Sequence, residues 1–292
     1  MATKSTGKTK KRVYDRSRGK EFRHHFVFES YGVKIRVTSN EAEAIEEIRT
    51  AVRRTFSNCF AELEDAAADH TFLLARNASG KDSLYRNSVK LVSRLPRQYV
   101  LDTLGAQIRL TVAEHAADFV FVHAGVVVWD DGAMLIPGRS FRGKSTLTAA
   151  LVRLGAVYYS DEYAVLDSDG LVHPFAKPIS IRGAIDAFTQ TDYTLEELGG
   201  IAGTDRKPVK MVLITEYRPN GRWKPRRLTA ANGIIELIKN AIPIRNKPAT
   251  SLNVFNQLAK SAVFIKSPRG DVSESADLIL QLFEQQSNKS ER

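Results

Sequence analysis

Val33, Ile35 and Val37 alternate with polar residues over 33–38, and with the segment 26–30 on the other side of Tyr31-Gly32 they predict a β-hairpin. The period then lengthens. Ile45, Ile48, Val52 and Phe56 fall at helical spacing over 40–56, with Ser39 or Asn40 able to cap the start. Residues 71–76 and 83–86 form a second predicted hairpin across 77–82, with a further strand at 89–93. Pro96 leads into a helix near 98–116, with Leu101, Leu104, Ile108 and Val112 on one face. A long apolar strand at 119–129 follows, turns at Asp130-Asp131-Gly132, and returns as 133–137. A helix at 145–154 ends before Gly155, a residue suited to the position after a helix C-cap. Strands are expected at 157–160, 163–167 and 171–174, the last two joined by Ser168-Asp169-Gly170. Residues 182–188 read as the start of a helix and 189–208 as loop. A buried strand at 210–217 returns, after Pro219-Asn220-Gly221, as 223–228. Helices near 231–241 and 250–260, a strand at 262–266 and a helix at 273–286 complete the pattern, and Asp271 with Glu274 forms a capping-box signature for the last.

Charge divides the chain. Residues 1–24 hold nine Lys or Arg against Asp15 and Glu21, a net +7 of the whole chain's +10. This arm reads as a disordered basic tail, with residues 25–95 as a small α+β lobe and 96–292 as the main domain. The arm alone is a weak nucleic-acid signal, as are the cations around Trp223, so nucleic acid is not the expected partner. Cys59 is the single cysteine, which excludes a disulfide framework and fits a cytoplasmic chain. No apolar run approaches the roughly 18 residues of a membrane span, and the N-terminus lacks the apolar segment of a secretory signal.

The chemistry begins at residues 138–145, GRSFRGKS, which satisfy G-x-x-x-x-G-K-S/T between an apolar strand and a helix. Glycines let the backbone N–H groups of such a loop turn toward phosphates, and the helix N-terminus adds positive potential. The expected nucleotide site is therefore Gly138, Arg139, Ser140, Phe141, Arg142, Gly143, Lys144, Ser145 and Thr146, with Lys144 on the β- and γ-phosphates and Ser145 on Mg²⁺. ATP with Mg²⁺ is the expected cofactor pair. Asp161-Glu162 follows the next strand, and a parallel sheet would bring that strand's carboxyl end beside the phosphates. One carboxylate would then hold the metal while the other accepts a proton from an attacking hydroxyl. His123 lies on an apolar strand, where it is either a core residue or a neutral imidazole that orients a carboxylate.

The combination of HAGVVVW (123–129), the phosphate loop, SDE (160–162) and IRG (181–183) resembles the HPr kinase/phosphorylase catalytic domain, and more closely the HPr kinase-related proteins of bacteria. The resemblance is good over about 119–190 and looser over 96–290. It implies an α/β fold with a P-loop-containing HPr kinase/PEP carboxykinase-like core beside the N-terminal α+β lobe. It implies phosphoryl transfer to a serine hydroxyl. By resemblance Asp161 is the general base, Glu162 stands on the metal side with Ser145, His123 supports the base, and Arg182 belongs to a second motif near the site. Phe141 stands where the family usually has Gly, and Glu162 where it usually has Asp. The acceptor is left open among a protein, a peptide and a small alcohol, and a homo-oligomer is suggested. Two other readings remain: a non-catalytic nucleotide sensor, and a nucleic-acid-associated ATPase.

Overall fold

The computed structural model describes residues 22–56, 59–64, 66–138, 143–182 and 190–290. The chain divides into two compact units, one of Met1–Arg53 with Phe60–Val112, the other of Arg54–Cys59 with Ala113–Arg292.

In the first unit the expected hairpin is β1 (His24–Ser30) with β2 (Val33–Ser39), turned by Tyr31 and Gly32, both at positive φ. A short strand that the periodicity does not show, β3 (Ala61–Leu63), pairs with β1. The helix α1 (Ala42–Thr55) separates β2 from β4 (His70–Arg76), and these two strands pair in parallel, as a crossover connection allows. β5 (Asp82–Arg86) and β6 (Val89–Leu95) extend the sheet to the order β3-β1-β2-β4-β5-β6. Phe26, Phe28, Ile35, Val37, Phe72 and Leu84 are buried on it. The helix α2 (Arg97–His115) follows, with Val100, Leu104, Ile108 and Val112 buried.

The second unit is built on β7 (Val120–Trp129) and β8 (Gly132–Pro137), joined by Asp130 and Asp131, whose φ angles of 45° and 58° match the right-handed strand twist. The helix α3 (Lys144–Arg153) leaves the phosphate loop. Then come β9 (Val157–Ser160), β10 (Tyr163–Leu166), β11 (Leu171–His173), β12 (Ile179–Arg182), β13 (Gln190–Tyr193) and β14 (Lys207–Tyr217). The chain continues through β15 (Arg226–Arg227), α4 (Ala230–Ile238), α5 (Pro248–Ser261), β16 (Val263–Arg269) and α6 (Val272–Ser290). The main sheet runs β11-β10-β7-β8-β14-β16-β15, with β9 also on β7 and β11 reaching β14.

Side-chain alternation buries both faces. Val126, Val128, Ala133 and Leu135 pack with Leu237, Phe255 and Leu258 of α4 and α5. Val127, Met134 and Ile136 pack with Leu147 and Leu151 of α3 and Ile279 and Phe283 of α6. The result is a mixed α/β sandwich of three layers.

Four expectations change. The sheet is mixed, not parallel: β7 runs antiparallel between β8 and β9. Because both neighbours oppose β7, β8 and β9 still run in the same direction, and their carboxyl ends lie at one end of the sheet. Arg182 ends a strand instead of opening a helix, and residues 183–189 lie outside the described residues. The stretch expected to be loop contains β13, which pairs with β12 from Ile179↔Tyr193 to Arg182↔Gln190. The returning strand at 223–228 is only Arg226–Arg227, and it pairs with β16 instead of β14. Lys224, Arg226 and Arg227 leave it too little apolar character to set a register. The basic arm lies outside the described residues through position 21.

Candidate nucleotide and phosphoryl-transfer site

β8 delivers the chain to Gly138, whose N–H donates to the His123 carbonyl at 3.2 Å. Arg139, Ser140, Phe141 and Arg142 lie outside the described residues. Gly143 is the N-cap of α3 at φ 76°, a conformation that favours glycine. A Cβ there would stand 2.4 Å from Arg269 Nη2, so the position also lacks room for a side chain. Arg269, 1% exposed at the end of β16, donates from Nη2 to the Gly143 carbonyl at 2.8 Å and lies over the Tyr217 ring at 5.8 Å. It fixes the start of α3 from the neighbouring strands. The spacing of the sequence gives no signal for this residue.

α3 carries no acidic residue in its first turn, and its N-terminal N–H groups have no side-chain cap. Lys144, first in the helix, is 8% exposed. Ser145 follows, and its Oγ donates to Asp161 Oδ2 at 3.1 Å. Thr146 sits in the same first turn.

Asp161 reaches this place through a bulge. Tyr158 faces Val127, but Ser160 faces Val126, so Tyr159 is an extra residue and the alternation shifts by one. β9 and β10 are in effect one strand along β7, interrupted at Asp161-Glu162. The buried Ser160 hydroxyl holds the interruption by accepting from Glu162 N at 3.1 Å and Tyr163 N at 2.9 Å. The ladder continues through Ala124 N donating to Glu162 O at 3.1 Å. Gly125 lies opposite Asp161 in this register, and a Cβ on it would fall 2.4 Å from Thr148 Oγ1. Its missing side chain is what lets α3 lie close against β7.

Asp161 is 5% exposed, and its lone pairs are heavily engaged. Oδ2 accepts from Ser145 Oγ and, at 3.2 Å, from Ser180 N. Oδ1 lies 2.9 Å from Lys177 Nζ and 3.1 Å from the Tyr158 hydroxyl. That hydroxyl also reaches the Lys177 carbonyl at 2.9 Å, and its single proton serves one acceptor at a time. Burial first, and then the Asp161 charge, push the Tyr158 pKa far up, so it is a phenol in the site and not a phenolate. Glu162 is the more open carboxylate and lies 3.7 Å from Lys177 Nζ. Lys177, Tyr158 and Ser180 are site residues that sequence reasoning did not find.

His123 faces Tyr163 across the β7–β10 ladder, with ring centroids 6.2 Å apart. Among the described residues no side chain hydrogen-bonds its ring, so it is not joined to Asp161 in that way. Burial, then the Lys144 charge, lower its pKa to about 4 against the opposing pull of Asp161. The imidazole is therefore neutral at pH 7. Because this folded-state pKa lies below the ordinary His value of about 6.5, the unfolded chain binds the proton better. Stability should fall as pH drops from 7 to 5, by about 2 kcal/mol from this residue. Denaturant melts of wild type and His123→Asn at the two pH values would measure it, the variant losing correspondingly less. Equal losses would show that His123 does not titrate in this way.

The structure thus brings together Gly138, Gly143, Lys144, Ser145, Asp161 and Glu162, with His123 within electrostatic reach. The side chain of Arg182 is not described. Among the described residues there is no cluster of three or more His, Cys, Asp or Glu able to hold a metal by itself, and no helix is long and apolar enough to cross a membrane. No protein-family model and no curated protein sequence matches the chain. Among solved structures the chain is similar to the HPr(Ser) kinase/phosphatase from Coxiella burnetii, at 16% identity and a TM-score of 0.34, over 59% of this chain and 99% of that one. That is a distant structural relationship.

Proposed function

We propose that this protein is an ATP-dependent, Mg²⁺-assisted phosphotransferase acting on a hydroxyl, with a serine side chain as the first acceptor to test. One observation carries the reading: the hydroxyl of a phosphate-loop serine, Ser145, and a buried carboxylate, Asp161, from the carboxyl end of a neighbouring strand stand 3.1 Å apart. A phosphate-binding helix start and a carboxylate at that place are what phosphoryl transfer needs: electrostatic positioning and a group to orient the nucleophile.

Lys144 and the first amides of α3 bind the phosphates. The oxygen donors Ser145 and Glu162 suit Mg²⁺, which binds through one or two carboxylates and completes its shell with water and phosphate oxygens. Following the family resemblance, these two residues would hold the metal, which when bound would neutralise charge on the phosphates. Asp161 accepts the acceptor's hydroxyl proton. The acceptor oxygen bonds to the γ-phosphorus as the bond from that phosphorus to the bridging oxygen breaks, and ADP leaves. Asp161 can take that proton only after one donor leaves it, because Ser145, Ser180, Lys177 and Tyr158 surround both oxygens. Neutral His123 acts on Lys144 and Asp161 through electrostatics alone, without a hydrogen bond to either.

The engagement of Asp161 by Lys177 favours a second reading, a nucleotide-binding protein without transfer activity. Incubation with γ-labelled ATP and fractionated lysate separates the two. The kinase reading expects ADP and a labelled acceptor in equal amounts, and the second expects bound ATP with neither product. The cytoplasmic setting, the homo-oligomer and the choice among protein, peptide and small-alcohol acceptors stay with this proposal.

A further inference from the structure

A cleft of about 560 Å³, within the range of small-molecule sites, opens where β14 and β16 end. It is lined by Tyr217, the turn 219–223 that follows β14, and the start of α6 from Asp271 to Leu278. Its lining suits a flat ring. Tyr217 and Leu278 are 48% and 43% exposed, two of the large apolar side chains that the fold leaves in solvent. Tyr217 is held by the Arg269 guanidinium on its ring, the same guanidinium that fixes Gly143. Its Cβ lies 3.5 Å from where a Cβ on Gly143 would stand, so this wall of the cleft abuts the start of α3. Trp223 adds a second aromatic wall, and its position is set by Lys224 N donating to Ser267 Oγ at 2.8 Å. Gly221 closes the turn, where a Cβ would meet the Arg269 and Arg218 carbonyls within 2.9 Å. Glu274, in the first turn of α6, supplies a carboxylate at the rim.

We infer that this cleft is the base subsite of the nucleotide, in which a purine stacks on Trp223 and Tyr217 while Glu274 accepts from an amino or ring N–H of the base. The inference rests on the reading of 138–145 as a triphosphate site and adds where the rest of the nucleotide lies. Both β14 and β16 end at this cleft, and β14 is the parallel neighbour of β8, which feeds the phosphate loop. A nucleotide held by its phosphates at α3 would have its ribose and base at this end of the sheet, where the cleft residue Tyr217 lies against Gly143.

The test compares ATP with inorganic tripolyphosphate, which carries the phosphates without a base. Trp223→Ala should weaken ATP binding about tenfold or more, as loss of a stacking wall does, and leave tripolyphosphate binding unchanged. Lys144→Ala should weaken both, so failure of the phosphate site and failure of the base site give different patterns. Should Trp223→Ala lose its fold, emission decides. In Trp129→Phe the remaining tryptophan is Trp223, and its fluorescence should respond to ATP and GTP more than to CTP, and not to tripolyphosphate. The relative response to ATP and GTP then names the purine. Unchanged ATP affinity in Trp223→Ala, or equal fluorescence responses to ATP and tripolyphosphate, would overturn the inference.

Discussion

Asp161→Asn should bind ATP within a few-fold of wild type and transfer its γ-phosphoryl group about a thousandfold more slowly. The amide keeps the size and shape of the side chain but removes the capacity to take a proton, and a positioned general base contributes on the order of 10²–10⁴ in rate. Nucleotide affinity is carried by a different element, the start of α3, and should survive. The substitution is not silent in the ground state. One amide arm becomes a donor and must face Ser180 N and Ser145 Oγ, or Lys177 Nζ and the Tyr158 hydroxyl. A buried mismatch of that kind costs about 1–3 kcal/mol, which a thermal melt would register and which should be measured beside the rate. Single-turnover formation of ADP and labelled acceptor is the readout. Transfer within a few-fold of wild type would remove Asp161 from the base role.

The fold was legible where composition and period agree. β7 and β8 are continuous apolar strands, and the loop after β8 carries glycines at positions that few other contexts demand. The order from β7 through α3 to the strand before Asp161 followed from those signals. What the sequence hid is mostly a matter of phase and of long-range approach. Counting alternate residues from Tyr158 gives the wrong face for Asp161, because the bulge at Tyr159 shifts the count, and a bulge leaves little trace in a run such as VYYSDEY. Lys177 and Arg269 meet the site from 16 and 126 residues away from their partners Asp161 and Gly143, and neither sits in a spacing that marks it. β13, in QTDY, has no apolar face to announce a strand; it forms because β12 offers it a backbone edge. The pairing of Ser145 with Asp161 instead of the more open Glu162 follows from the same bulge, which turns Asp161 toward α3.

Lys144→Ala should lose most of the affinity for a nucleoside triphosphate. Lys144 opens α3 with little solvent exposure, at the helix start where a phosphate would meet the amides. Charge-assisted hydrogen bonds in such a setting contribute about 1.5–3 kcal/mol, which corresponds to roughly ten- to hundredfold in affinity. Removing the cation should also lift the His123 pKa, because the Lys144 charge is the second largest cause of its depression. Calorimetric titration of Mg²⁺-ATP into wild type and Lys144→Ala at pH 7 decides whether 138–145 holds a nucleoside triphosphate. One ATP should bind per wild-type chain, and the complex should be ten- to hundredfold weaker in a variant that melts normally. Equal affinity in the two proteins, or no binding by wild type, would contradict it.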